Sequence, residues 1–99
     1  MKIEIIQSDK SVLRLAFSGK LDANTVANGS MEFFSLLNHR KSPVYLDFSE
    51  VVFLSSLGIR MLLVAFKEVK EQGHDLKIEN VRPEIAKIIS TAGLDFLIN

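Results

Sequence analysis

Hydrophobic and polar residues alternate through most of the first eighteen positions of this chain. Ile3 and Ile5 flank Glu4, and Leu13, Leu15 and Phe17 are spaced two apart, so residues 2–7 and 11–18 are predicted strands. Ser8-Asp9-Lys10-Ser11 between them has turn chemistry and predicts an opening hairpin, and Ser18-Gly19 ends its second strand. The period then changes to that of a helix. Val26, Phe33 and Leu37 share one face, flanked by Phe34 and Leu36, over a helix predicted from about Asn24 to Asn38. Asp22 and Asn24 are both good N-cap types for it. Lys41-Ser42-Pro43 breaks the chain before Val44-Tyr45-Leu46-Asp47-Phe48, the next predicted strand, and Ser49 to Leu54 is expected to be a short connection. A second helix is predicted from about Leu57 to Gln72, with Gly73 as its C′ residue. Leu76 to Glu79 alternates again. Pro83 opens a last helix with Ile85, Ile88, Ile89 and Ala92 on one stripe, Gly93 stops it, and the apolar tail Leu94 to Ile98 is expected to fold back.

The predicted order is strand, strand, helix, strand, helix, strand, helix. A helix between two strands implies a parallel pair joined by a right-handed crossover, and the hairpin makes the sheet mixed. Strands that alternate, rather than running apolar throughout, predict helices mainly on one face. The class is therefore α/β, as a single domain over residues 1–99.

Composition narrows the function classes. Twelve basic and twelve acidic residues cancel, which argues against nucleic acid or an anionic membrane as the main partner. No cysteine is present, so neither a disulfide framework nor a thiolate metal site is available. The N-terminus enters an alternating segment directly, without the apolar run of a signal peptide, and Met61 to Phe66 is far too short to span a bilayer. A cytoplasmic protein without direct membrane contact is expected.

Candidate chemistry is sparse. His39 and His74 sit alone beside loops, with no metal-ligand or triad spacing, and Gly58 has no second glycine or lysine to make a phosphate loop. Asp22, Asp47 and Glu50 lie near strand ends, where caps and solvated loop residues are the simpler reading. Lys67, Glu68, Lys70 and Glu71 form a mixed charged face, expected to be solvated and locally paired. No catalytic residue, metal ligand or cofactor site is expected. What remains is the corner Val51 to Arg60. On a helical wheel Ile59, Leu62, Leu63 and Phe66 make one cluster, with Val69 at its edge, and are the expected core face. Leu57, Met61 and Val64 fall on the opposite side, either to be covered by a neighbouring helix or to dock a partner. One of Ser55 and Ser56 is expected to cap this helix. A phosphate on such a serine would be tolerated at the positive end of the helix, while adding about −1.5 to −2 charge beside Leu57 and Met61.

Phe53-Leu54-Ser55-Ser56-Leu57-Gly58-Ile59 resembles the serine loop of the STAS domain family (sulfate transporter and anti-sigma factor antagonist), specifically its single-domain bacterial anti-sigma factor antagonists. Gly19-Lys20-Leu21-Asp22 resembles the family's Gly-x-Leu-Asp before the first long helix. Val44-Tyr45-Leu46-Asp47-Phe48 resembles the strand before the serine loop, and Pro83-Glu84 through Thr91-Ala92-Gly93-Leu94 the last helix. The resemblance covers essentially the whole chain. It implies a STAS-like mixed β-sheet opening with a hairpin, helices mainly packed on one face. It also implies a protein without enzyme activity that, dephosphorylated, binds an anti-sigma factor, a serine kinase with a histidine-kinase-like fold, and releases the sigma factor. Phosphorylation of a loop serine ends that complex and a metal-dependent serine phosphatase restores it. The family's Asp-Ser-x-Gly pattern puts the acceptor at Ser56, with Ser55 the second choice because it stands where many members carry Asp. Leu57 replaces a residue that is usually small, and Asp22 matches an acidic residue beside the acceptor in the switch region. The expected partner-binding set is Asp22, Asn24, Ser55, Ser56, Leu57, Gly58, Met61 and Val64, in a monomer or weak dimer.

Two other classes compete. A non-switching STAS adaptor, as a subunit of a signalling assembly or a lipid-transport complex, would use the same helix without phosphorylation. A small enzyme would need a catalytic constellation that the sequence does not display.

Overall fold

A computed structural model of the chain describes residues 1–38 and 42–99; His39 and the Lys41 end of the expected chain break lie outside the described residues. The alternation at the start does fold as a hairpin. Strand β1 (Lys2–Ser8) pairs antiparallel with β2 (Leu13–Leu21), Ile3 opposite Phe17 and Ile5 opposite Leu15. Asp9 closes the turn: its Oδ1 accepts from the amides of Ser11 (2.8 Å) and Val12 (3.0 Å) and from the Ser11 hydroxyl (2.6 Å). Short polar side chains that bond their own following backbone favour such turns.

Helix α1 (Ala23–Leu37) returns the chain to β3 (Val44–Leu54), and α2 (Ser56–Glu71) to β4 (Leu76–Glu79). The sheet order is β1-β2-β3-β4, with both β2·β3 and β3·β4 parallel. Helix α3 (Pro83–Thr91) and a 3-10 turn at Asp95–Leu97 complete the chain. The tail folds back as expected: Leu94 and Leu97 are buried, and the Asn99 amide donates to the Ile78 carbonyl (2.9 Å).

One core holds these elements together. Leu13, Leu15 and Phe17 of β2, Val44, Leu46 and Phe48 of β3, and Leu76 and Ile78 of β4 all point to the helix-covered face. Phe33 of α1 meets Phe17 edge to face with ring centroids 5.1 Å apart, and Phe17 lies 5.5 Å from Phe48, so aromatic contacts join α1, β2 and β3. Ile85 and Ile89 of α3 enter the same cluster. The other face is polar. There the Arg14 guanidinium lies 4.7 Å from the centre of the Tyr45 ring and pairs with Glu79.

Three expectations are corrected. Strand β2 runs to Leu21 and α1 begins at Ala23, so Asp22 is the N-cap and Asn24 lies exposed inside the first turn. Residues 49–54 are not a connection but the second half of β3. Two register shifts against β2, between Ala16 and Ser18 and between Gly19 and Lys20, each insert an extra residue in β3. Bulges of this kind replace the two-residue period, so after Phe48 the buried positions are Val51 and Leu54.

The third correction concerns α2. Its buried stripe is Gly58, Met61, Leu62, Ala65 and Val69, whereas Ile59, Leu63 and Phe66 are only partly buried. The stripe is rotated from the expected one because α1 packs along the flank that carries Met61, which is 4% exposed. Met61 is thus a core residue, not part of a free second face. Met61→Ala should cost about 2–5 kcal/mol in urea denaturation, the range for truncating a buried Met; a loss below about 0.5 kcal/mol would return Met61 to the surface.

Candidate functional site

The parallel strands β2 and β3 end side by side, with Leu21 opposite Leu54, and each turns into a helix within two residues. Two helix N-termini therefore lie at the C-terminal edge of the sheet, where parallel strands commonly present their functional residues. Each is capped by the residue immediately before it. Asp22 Oδ1 accepts from the Thr25 amide (3.0 Å), and Thr25 Oγ1 accepts in return from the Asp22 amide (2.9 Å), a reciprocal capping box. Chiefly through the Thr25 amide, the Asp22 carboxyl is held below its ordinary pKa.

The two serines have different jobs. Ser55 is the N-cap of α2: its Oγ accepts from the Gly58 amide (3.3 Å) and donates to the Leu21 carbonyl (3.0 Å), which also accepts the Ser55 amide (2.9 Å). Its hydroxyl is half-buried and engaged twice. Ser56 is the first helical residue, is exposed, and makes no side-chain hydrogen bond among the described residues.

Gly58 explains why the corner is tight. A Cβ on Gly58 would lie 2.8 Å from the Leu21 carbonyl oxygen and 2.7 Å from a Leu54 methyl, so only glycine lets α2 approach β2 this closely. Gly58 is buried and acts through this packing rather than as a surface contact.

Around Ser56 the surface is apolar. Leu57 is 45% exposed and Val64, two turns along α2, is 44% exposed. A groove of about 260 Å³ between α1 and α2 is lined by Val26, Ser30, Phe34, Leu57, Arg60, Met61 and Val64. Met61 lies in that groove largely covered, while Leu57 and Val64 flank it. The sequence reading left out Val52 and Phe53, which are 47% and 45% exposed on the strand end just before the serines. Reading residues 49–54 as a connection gives their side chains no defined direction; the bulged β3 register is what turns these two away from the core while Val51 and Leu54 enter it. Phe53 stands in the motif that carried the family resemblance, and this was the available signal.

The remaining candidates do not join this corner. Asp47 lies on the helix-free face. Partial burial raises its pKa, but hydrogen bonds from Ser49 and Asn80 and the nearby Arg14 charge hold it below the ordinary value. Glu50 pairs with Arg82 at 3.6 Å. His74 follows α2 in a turn, its amide on the Val69 carbonyl. On the charged face of α2, Lys70 pairs with Asp75 at 2.7 Å rather than with Glu68 or Glu71. Among the described residues no group of three or more His, Cys, Asp or Glu side chains is placed to hold a metal ion, and no helix is long and apolar enough to cross a membrane.

The two serines should separate in stability measurements. Ser55→Ala removes a cap and should cost about 1–2 kcal/mol, whereas Ser56→Ala should stay within about 0.5 kcal/mol of the parent in urea denaturation. Equal losses would mean that both hydroxyls are structural. Acid titration tests Asp22 separately. Its folded pKa lies below the unfolded one, so its stabilisation is present above the unfolded value and is lost as pH falls through the folded value. Asparagine still caps but does not titrate. Asp22→Asn should therefore flatten the decline of stability between about pH 5 and pH 2, and an unchanged decline would assign it to other carboxylates.

Comparison with known proteins agrees with this architecture. Residues 3–99 match the STAS domain family. The chain is 23% identical over 96 residues to an anti-sigma F factor antagonist of Paenibacillus polymyxa, covering 95% of this chain and 82% of that protein. Its fold superposes on the anti-sigma factor antagonist SpoIIAA in its unphosphorylated form with a TM-score of 0.84 at 15% identity, over 99% of this chain and 86% of the other. The phosphorylated form of SpoIIAA, a Bacillus cell fate determinant, superposes with a TM-score of 0.75 at 15% identity, over 99% and 89% of the two chains. With the serine corner, the mixed sheet and a family match over nearly its whole length, the chain belongs to the STAS domain family.

Proposed function

We propose that this chain is an anti-sigma factor antagonist, a single-domain cytoplasmic binding protein rather than an enzyme, switched by phosphorylation of Ser56. In its dephosphorylated form it binds an anti-sigma factor that is itself a serine kinase of histidine-kinase-like fold, and so releases the sigma factor. The observation that carries this reading is the division of labour between the serines: Ser55 holds the corner together while Ser56 offers an unengaged, exposed hydroxyl. The Paenibacillus relative supports the antagonist role by its name, and SpoIIAA is known in both phosphorylation states.

The chemistry is a phosphoryl transfer carried out by the partner. The Ser56 Oγ forms a bond to the γ-phosphorus of ATP as the bond to the leaving ADP breaks, and the hydroxyl proton goes to a base of the kinase. A metal-dependent serine phosphatase then hydrolyses the ester and restores the hydroxyl. In this chain the product sits at the start of α2, where a negative charge is favourable to the helix. It also places about −1.5 to −2 charge beside the exposed Leu57, which a docking partner must desolvate. A penalty of about 3 kcal/mol weakens binding roughly 100-fold.

The test is peptide mass spectrometry after incubation with a serine kinase of histidine-kinase-like fold from the same organism and Mg-ATP, together with binding measurements. One phosphate on Ser56 is expected, and Ser56→Asp should melt like the parent while binding the ATPase roughly 100-fold more weakly. A stable complex with no phosphate incorporated would replace the switch by a plain adaptor role.

A further inference from the structure

Arg60 has no carboxylate within ion-pair distance among the described residues, whereas Lys2, Arg14, Lys70 and Arg82 each have one. It is exposed, and it lines the α1–α2 groove with Leu57, Met61 and Val64. It also follows Ser56 by four residues within α2. Side chains at this spacing lie on one face with Cβ atoms about 5–6 Å apart, and an acidic group N-terminal to a basic one is the favourable order. Each Cα–Cβ bond of a helix tilts toward the N-terminus, so the turn that carries Ser56 is within reach of a long side chain at position 60. A guanidinium presents planar paired donors that match phosphate oxygens.

We propose that Arg60 reads the phosphorylation state of this chain: a free cation at the groove while Ser56 is a hydroxyl, it pairs with the phosphate when Ser56 is phosphorylated. The inference rests on Ser56 being the acceptor. Its consequence is that one modification changes the docking surface twice. The phosphate adds negative charge beside Leu57, and it also removes a positive charge that an acidic side chain of a partner would otherwise meet. The pair is local to one helix, so the change needs no rearrangement of the core.

The test needs no kinase. Phosphoserine is incorporated at position 56 during translation, and the phosphate is titrated by 31P NMR in the parent chain, Arg60→Gln and Arg60→Lys. Pairing favours the dianion, so the second pKa of the phosphate, near 6 for phosphoserine, should lie about 0.3 pH unit lower in the parent than in Arg60→Gln. Arg60→Lys should recover part of that difference, and about 1 M salt should shrink it. Equal pKa values in the parent and Arg60→Gln would overturn the proposal. Because position 60 is exposed, the glutamine variant should keep the parent's melting temperature before phosphoserine is introduced. Failure of the kinase to modify Ser56 would instead remove the acceptor reading, while this titration still reports whether the two side chains pair.

Discussion

The Leu21 carbonyl is the point on which the functional corner depends. It accepts both the amide and the hydroxyl of Ser55 and faces the bare Cα of Gly58 across a distance that no side chain fits. One oxygen thus fixes the end of β2, the entry into α1 and the direction in which α2 leaves β3. Replacing the Ser55 side chain would leave its amide on this carbonyl but remove the second donor along with the helix cap, so it would disturb more than the cap alone. Because the constraint is met by Ser55 and Gly58, the two residues on either side of the Ser56–Leu57 pair, those two are left free for the surface. The corner is rigid where it must hold two helices and unencumbered where a partner would touch it.

The elements themselves were legible in the sequence wherever one period ran unbroken. The hairpin, the two long helices and the folded-back tail all followed from alternation, helical spacing and turn residues, because each buries one regular face on one core. What escaped was the irregular part. Two extra residues in β3 put Val51 and Leu54 inside and left Val52 and Phe53 outside, a pattern that matches neither period and reads as a loop. The role of Met61 was hidden for a different reason. A helical wheel shows which residues share a side but not which neighbour covers it, and α1 lies over the flank that looked free. Two sides of α2 meet protein, so its hydrophobic stripe is wider than a single sheet contact would require.

The sequence also could not tell one serine from the other. Both are plausible caps, and the family pattern only names a position. Geometry separates them, because the cap must have non-helical backbone before the first turn and Ser55 has it, with φ −89° and ψ 173°. Ser56 already lies inside the helix. A side chain at that position projects from the first turn instead of folding back over it, and this is why the hydroxyl is open to solvent.

The identity of residue 55 bears on what a phosphate at Ser56 would experience. Where the family carries Asp, a cap carboxylate stands next to the acceptor, and a dianion there would meet a like charge. Here the cap is a neutral hydroxyl, the first turn of α2 has no acidic residue, and the Asp22 carboxylate is turned to its own Thr25 amide. The first charged residue of the same helix is Arg60, one turn on and without a carboxylate partner among the described residues. A phosphate at this corner would therefore face an attractive field from its own helix and a repulsive, desolvating one only from whatever docks beside Leu57. Such an arrangement lets the modification be unfavourable for the complex without being unfavourable for the fold, which is the condition a reversible switch on a domain of this size has to satisfy.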